Sequence, residues 1–382
     1  MSAVESEKAA ERQGFAASLV ALLPEFAASA RTDDVALRLA DTLACAMAAE
    51  SLKRGGENAV GRAARYAAQE GAGKREATVW ATGEKIAVDE AAFRNAVSAR
   101  YLDFNDTYVG RAIIHPSDVI AALVALAESR AIAWSRLTEA VNVAYEVLCR
   151  MAEQADLRAH GCDASTLTPL GTVAGCSWLL GLSPRQSANA IKLAALDSAT
   201  LRCIRIGRIS DWKAAASGRG AVKGLFAVRM AELGTEAPAT TFEADDGFFA
   251  QVSGKLALDC TSPSRLPETL IKRFSVQIFC QSMLSMAQDL ARQTAGRTDA
   301  IRRVTISTFK RAVEMVGPRS LGGHALNRET ADHSASFCVA AMLVHGRLGY
   351  SDFETFLSDR KVLALMDKID VVDGGDSKRG FP

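Results

Sequence analysis

The stretch VIAALVALAE at Val119–Glu128 predicts an apolar helix, and VNVAYEVL at Val141–Leu148 repeats its character. Two further alanine-rich segments, LADTLACAMA at Leu39–Ala48 and GAVKGLFAVRMAEL at Gly220–Leu233, also predict helices. In the first of these, Val35, Leu39, Leu43 and Met47 fall four residues apart and would share one helix face. The first two-thirds of the chain therefore predicts a large all-helical domain.

The sequence changes character near residue 265, where Pro263 and Pro267 bracket a predicted boundary. The alternating, β-branched run IRRVTISTF at Ile301–Phe309 predicts a strand. The polar, glycine-rich tail after Lys368 is expected to be loose. We therefore predict a mainly α fold, with a helical domain at residues 1–265 and a smaller α+β domain at residues 266–382.

Two helix starts follow from capping patterns. Ser183, Pro184 and Gln186 combine an N-cap serine, a first-position proline and a glutamine three residues after the cap. Ser351 and Glu354 have the same capping-box spacing. Both sites predict the first turn of a helix.

Composition narrows the function classes for this chain of 382 residues. Its 45 Lys+Arg against 44 Asp+Glu give a net charge of +1, which argues against a nucleic-acid binder. The 8 cysteines form no CxxC pair and no zinc-like cluster, and no apolar run reaches the ~18 residues of a membrane span. The charged N-terminus lacks the apolar core of a signal peptide. We expect a cytoplasmic protein without a metal or membrane segment.

The densest polar cluster is DFNDTYVGRAIIHPSD at Asp103–Asp118. Here His115 lies just before an apolar helix, where free N–H groups and the helix dipole favour anions. A histidine near a carboxylate such as Asp103 could exchange protons near neutral pH. The alternative is a loop whose polar side chains only cap and turn the backbone.

A second cluster, LRCIRIGRISDWK at Leu201–Lys213, contains Arg202, Arg205, Arg208 and Lys213 with little acid nearby. Such a group could hold a di- or tricarboxylate, or it could be a solvated basic face. Lys272 lies near the predicted domain boundary, where ligand sites are common, although a lysine there could equally be a surface residue.

These clusters, in this order, resemble the MmgE/PrpD family, which includes 2-methylcitrate dehydratase, cis-aconitate decarboxylase and iminodisuccinate epimerase. The resemblance covers nearly the whole chain. It rests on the two clusters above, on the Leu39–Ala48 helix, on IKRF at Ile271–Phe274 and on DHSASFCVAAMLVHGRL at Asp332–Leu348. It is greatest to the methylcitrate dehydratase branch.

The resemblance implies a helical domain with a smaller α+β lid, usually as a homodimer, and cofactor-free lyase or isomerase chemistry on small polycarboxylates in a pocket between the domains. It places Asp103, Thr107, His115, Lys213 and Lys272 at pocket positions. We expect dehydration of a 2-methylcitrate-like hydroxy acid. That reaction removes a proton from carbon, stabilises the resulting negative charge and protonates the leaving hydroxyl.

Roles follow for the pocket residues. His115 is the candidate acid or base with Asp103 orienting it, and Thr107 is expected to hydrogen-bond the substrate. The ammonium groups of Lys213 and Lys272 would neutralise two substrate carboxylates. Alternatively, one lysine is the base, since two nearby ammonium groups lower each other's pKa. After Lys272 the family usually has a proline and then a Glu or His, whereas this chain has SVQIF at residues 275–279. Gln277 in this segment is expected to contact the substrate.

The chain also departs from the family pattern. Cys162 and Ala164 stand at candidate positions for a second pocket histidine, and Phe337 stands where decarboxylases have a tyrosine. The lid domain is expected to be shortened at its C-terminus. A decarboxylase or epimerase on the same scaffold, or a catalytically degenerate paralogue, therefore remain as alternatives.

Overall fold

The computed structural model describes residues 14–52, 57–294, 297–317 and 327–375. These residues form two compact units. The first comprises the described residues of Met1–Tyr101, Asn105–Cys203 and Ala214–Leu270, and the second those of Leu102–Phe104, Ile204–Lys213 and Ile271–Pro382. The main division falls between Leu270 and Ile271, and two short earlier segments are grouped with the second unit.

The first unit is mainly helical. Its nine helices over the described residues are α1 Phe15–Ala28, α2 Thr32–Ser51, α3 Ala59–Glu70, α4 Val88–Tyr101, α5 Ile120–Ser129, α6 Trp134–Gln154, α7 Thr168–Leu180, α8 Pro184–Leu196 and α9 Trp212–Glu232. The unit also contains two antiparallel strand pairs in which each strand has two residues. These are β1 Ala77–Thr78 with β2 Lys85–Ile86, and β3 Tyr108–Val109 with β4 Ile113–Ile114. The mainly α prediction is confirmed.

The core of this unit is built on α5, α6 and α7. The apolar run predicted at Val119–Glu128 becomes α5, which buries most of its residues. Helix α7 approaches α6 closely, because a Cβ at Gly171 would lie 2.3 Å from Leu148 Cγ and one at Gly175 would lie 2.8 Å from the Ala140 carbonyl oxygen. Only glycine allows this separation, so these positions determine the packing of the two helices.

Helix α2 forms as predicted, but the residues predicted to share one face are not all buried. Val35 is buried, whereas Leu43 and Met47 are 43% and 46% exposed. Arg38 lies on the buried side instead, where its guanidinium donates to the Thr269 hydroxyl at 2.9 Å and to the Thr269 carbonyl oxygen at 3.0 Å. A buried guanidinium needs such acceptors, and its anchoring decides which face of α2 is turned inward.

The second unit contains helices and one parallel sheet. Its helices are α10 Cys280–Thr294, α11 Lys310–Val316, α12 Arg328–Ala331, α13 Ala335–His345, α14 Phe353–Phe356 and α15 Arg360–Met366. Strand β5, Val304–Thr308, confirms the centre of the predicted strand and pairs in parallel with β6, Ile369–Asp373. The prediction of a loose tail is therefore wrong for β6, and residues 376–382 lie outside the described part.

Of the two capping boxes predicted from the sequence, one forms and the other does not. The Ser183 side chain accepts from the Gln186 backbone N–H, and the Gln186 side-chain oxygen accepts from the Ser183 backbone N–H. The predicted capping box is therefore confirmed. At the second site the N-cap of α14 is Asp352, and the predicted cap at Ser351 is wrong. The Asp352 carboxylate instead accepts from the Gly349 N–H at 2.8 Å. Among the described residues, no helix combines the length and apolarity that crossing a membrane requires.

Candidate functional site

An imidazole between two carboxylates lies in the second unit. His333 Nδ1 is 2.5 Å from Asp332 Oδ1, and His333 Nε2 is 3.4 Å from Asp103 Oδ2. All three residues are buried. Asp103 has φ +48°, a left-handed conformation that costs a non-glycine residue energy and that is concentrated at functional sites.

Each of the two carboxylates is bound to a lysine. Lys213 Nζ lies 2.8 Å from Asp332 Oδ2 and 2.8 Å from Glu329 Oε2. Lys272 Nζ lies 2.8 Å from Asp103 Oδ1 and donates to the Asp103 carbonyl oxygen at 2.7 Å. Both lysine side chains are 0% exposed. We call Lys272, Asp103, His333, Asp332, Lys213 and Glu329, in this order, the buried ion chain.

Local structure positions the middle of the buried ion chain. Asp332 and His333 lie between α12 and α13, and each helix is capped by a side chain: Asn327 accepts from the Thr330 N–H, and Ser334 accepts from the Phe337 N–H. Two capped helices meeting at one corner fix the backbone of both residues. The segment before Lys213 is tied to the same corner, because the Ile209 N–H donates to the Thr330 hydroxyl at 3.0 Å.

Burial and pairing set the charges in the buried ion chain. Burial alone would raise the pKa of Asp332, but the Lys213 ammonium and His333 hold that pKa below its usual range. Burial lowers the pKa of His333, an effect that the Asp332 carboxylate opposes and the Lys213 charge reinforces. Burial raises the pKa of Glu329. The directions describe an ionised Asp332 beside a neutral imidazole.

Asp103, Asp332 and His333 also offer three ligand atoms within 4.8 Å of one another, a spacing compatible with a metal ion. However, each carboxylate already binds a buried ammonium group, and a divalent cation would have to approach both positive charges. The donor set therefore favours proton transfer over metal binding.

The first unit holds a separate histidine site. His115 Nε2 lies 2.9 Å from Arg100 Nη2, and His115 Nδ1 lies 2.9 Å from the Asp106 carbonyl oxygen and 3.3 Å from Thr107 Oγ1. Because a guanidinium only donates, Nε2 accepts from Arg100 and the proton lies on Nδ1. His115 is therefore neutral in this arrangement, with its lone pair directed at Arg100.

The hairpin β3–β4 and the turn after it position His115. The Thr107 N–H donates to the Leu270 carbonyl oxygen at 3.0 Å, and Thr107 is fully buried. The Asp106 carboxylate accepts from the Ser117 N–H at 3.1 Å, which joins the two ends of the loop. Burial raises the pKa of Asp106, although its bonds to Ser117 oppose the shift.

The remaining predicted site residues are placed differently. Arg202 is half-buried in the first unit, whereas in the second unit Arg205 is half-buried and Arg208 is exposed. Lys213, by contrast, is fully buried and paired with the carboxylates of Glu329 and Asp332. Gln277 is buried, and its side-chain oxygen accepts from the Phe279 N–H at 2.6 Å. A substrate role for the arginines and Gln277 stays a prediction.

The structure thus brings Asp103, Lys213 and Lys272 together within the second unit, and Thr107 with His115 within the first. Sequence reasoning did not assign a site role to Asp332, His333 or Glu329. An Asp–His pair directly before an apolar helix was the available signal, but a helix-capping role explains the same pattern.

The family description of the MmgE/PrpD N-terminal domain matches residues 16–261, and that of the C-terminal domain matches residues 274–382. The chain is 26% identical over 308 residues to 2-methylcitrate dehydratase of Escherichia coli strain K12, covering 73% of this chain and 62% of that protein.

Two fungal proteins are similar to the same extent. The mitochondrial 2-methylcitrate dehydratase of Yarrowia lipolytica is 27% identical over 74% of this chain and 58% of its own length. An alkylcitrate dehydratase of a fungal species is 25% identical over 73% of this chain and 60% of its own length. The chain thus spans about three-fifths of the length of these curated relatives. Because the two family domains together match most of its residues, this chain belongs to the MmgE/PrpD family.

Proposed function

We propose that this protein is a carbon–oxygen lyase that dehydrates a small hydroxy polycarboxylate of the 2-methylcitrate type. The proposal is supported by the names of its relatives, which are citrate-type dehydratases. The observation that carries it is the imidazole of His333 held between Asp103 and Asp332 in a buried environment. Family membership without this acid–base cluster would define only a scaffold.

The reaction needs a base for a proton on the carbon next to a carboxylate, and an acid for the leaving hydroxyl. A neutral imidazole with an available lone pair suits the first task. His333 is neutral, whereas the Nε2 lone pair of His115 is directed at Arg100, so His115 must release that contact before it can accept a proton. We propose that Thr107 donates a hydrogen bond to the substrate from beside His115. We further propose a cytoplasmic homodimer that works without metal or cofactor, on the resemblance alone.

One alternative reaction is disfavoured by the structure. Phe337, at the position where decarboxylases of this family have a tyrosine, is fully buried and its ring stacks on Phe353 with centroids 6.0 Å apart. The position therefore offers no hydroxyl group to a substrate. This observation favours dehydration over decarboxylation.

A substrate panel tests the proposal. Purified protein is incubated with methylcitrate, citrate and other hydroxy di- and tricarboxylates, and formation of the new C=C bond is followed by absorbance. His115→Ala should lower the rate by about 10²–10⁴ if His115 transfers a proton. His160→Ala is the matched control, because His160 is an exposed histidine of the same unit. No turnover, together with no thermal shift by any of these acids, would refute the proposal.

A further inference from the structure

The two lysines expected to grip substrate carboxylates are occupied inside the protein. Lys213 contacts Asp332 and Glu329, and Lys272 contacts Asp103, with both side chains enclosed from solvent. An ammonium group that already binds one or two buried carboxylates has little capacity to neutralise a third. Their charges instead balance the two carboxylates on either side of His333.

We propose that His333 is the proton-exchanging group of the second unit, held as the neutral Nδ1–H tautomer with its Nε2 lone pair as the proton acceptor, and that Lys213 and Lys272 are positioning residues for the carboxylates beside it. The catalytic part of this inference rests on the proposed dehydration, whereas the tautomer and the charge pairing do not.

Distances determine the tautomer. At 2.5 Å from Asp332 Oδ1, His333 Nδ1 must carry a proton and donate it. At 3.4 Å from Asp103 Oδ2, Nε2 is beyond the usual range of an N–H···O hydrogen bond. The imidazole is therefore oriented by Asp332, and its other nitrogen is left to accept a proton. The imidazolium formed in this way would lie between two carboxylates, which stabilise it.

The proton balance closes within one turnover. The Nε2 lone pair takes the proton from the substrate carbon, and the electron pair of the broken C–H bond moves toward the neighbouring carboxylate. It then forms the C=C bond as the C–O bond breaks, and the hydroxyl leaves with the proton that the imidazolium returns. Substrate loses one water, and His333 is again neutral.

Several charged groups face His333, and their effects differ in sign. Asp332 and Asp103 favour the imidazolium, whereas Lys213 disfavours it. Lys272 and Glu329 act on these neighbours, and Arg328 Nη1 lies 3.5 Å from Asp332 Oδ2. Burial makes the largest contribution and lowers the pKa of His333, which keeps the ring neutral and able to act as a base at neutral pH.

The first test needs no substrate. Nitrogen-15 NMR of histidine-labelled protein distinguishes the Nδ1–H tautomer, the Nε2–H tautomer and the imidazolium, and His333→Gln assigns the signal. We expect a neutral Nδ1–H ring for His333 at pH 7. His345→Gln is the matched control, because His345 forms the other His–Asp pair described in this unit, 2.8 Å from Asp359 and partly exposed. An imidazolium or an Nε2–H tautomer at His333 would overturn the inference.

The second test uses kinetics across pH. His333→Gln should lower kcat by about 10²–10⁴ with KM changed less than severalfold, and His345→Gln should change neither. The charge of Lys213 opposes protonation of His333, so Lys213→Met should move the acid limb of the kcat–pH profile to higher pH. The Asp332 carboxylate favours that protonation, so Asp332→Asn should move the same limb to lower pH. A structural role alone would not produce opposite shifts.

Each outcome decides one claim. If kcat is normal in His333→Gln, the inference is overturned and the proposed function stands. If Lys272→Met raises KM strongly and leaves kcat unchanged, Lys272 is a substrate-binding residue and its positioning role is overturned. Wild-type protein inactive on every acid of the panel overturns the proposed function, and the NMR result then decides the tautomer and pairing. If Lys213→Met does not fold, Asp332→Asn still tests the expected shift of the acid limb of the kcat–pH profile.

Discussion

Removing the ammonium of Lys213 should destabilise the protein strongly. Its Nζ lies 2.8 Å from both Glu329 and Asp332, and the three side chains are 0%, 3% and 0% exposed, so water cannot screen them. Breaking a buried ion pair by removing one partner costs about 3–5 kcal/mol. We expect Lys213→Met to lower the free energy of unfolding by an amount in this range at pH 7.5.

The cost should depend on pH with a definite sign. Burial already raises the pKa of Glu329 and the Lys213 ammonium opposes that shift, so without the ammonium the pKa of Glu329 should rise further above its unfolded value. The native variant then binds more protons than the unfolded chain. Its stability therefore rises as the pH falls, and the deficit should be smaller at pH 5.5 than at pH 7.5. Adding Glu329→Gln should recover at least ~1 kcal/mol, because one uncompensated charge disappears.

Urea unfolding followed by circular dichroism at both pH values measures these differences. Lys361→Met is the control, since Lys361 is an exposed lysine of the same unit. A cost for Lys213→Met below about 1 kcal/mol, or one that is equal at the two pH values, would show that the buried ion chain is not held together by charge.

Three further outcomes are expected. Gly171→Ala should lower stability by about 1–3 kcal/mol, because the added Cβ would lie 2.3 Å from Leu148 Cγ; an unchanged thermal midpoint would contradict the close packing of α6 and α7. Ser183→Ala should cost about 1 kcal/mol in urea unfolding by removing the cap bonded to Gln186, and a neutral effect would count against it. His333 has a lowered folded-state pKa, so its contribution to stability is present above the unfolded pKa and lost as the pH falls through the folded one; His333→Gln should flatten the loss of stability below about pH 6.5, and identical slopes would argue against this.

Helices and helix caps could be predicted from the sequence where residues close along the chain determine them. The apolar run at Val119–Glu128 becomes a buried helix, and the capping box at Ser183 forms because its partners lie three residues apart. The same sequence pattern at Ser351 does not form a capping box, because Asp352 occupies the N-cap position and its side chain accepts from the Gly349 N–H instead. A local signal is decisive only when no competing bond is nearby.

Long-range partners decided the rest of the fold. Ile369–Asp373 looked like a loose polar tail, but it forms a strand because Val304–Thr308 offers its unpaired backbone groups. Helix α2 was predictable from its spacing, whereas its orientation depended on acceptors for Arg38 more than 200 residues later.

The sequence by itself determined the helical character and the family, and it singled out Asp103, Lys213 and Lys272 as candidate site residues, because residue type and spacing carry that information. Only the tertiary structure decided which partners those residues have. It brought Asp332 and His333 between them and enclosed both ammonium groups, and such pairing depends on which charges are removed from water together. Desolvation is a property of the folded surroundings, so no stretch of sequence could assign the lysines to the protein's own carboxylates.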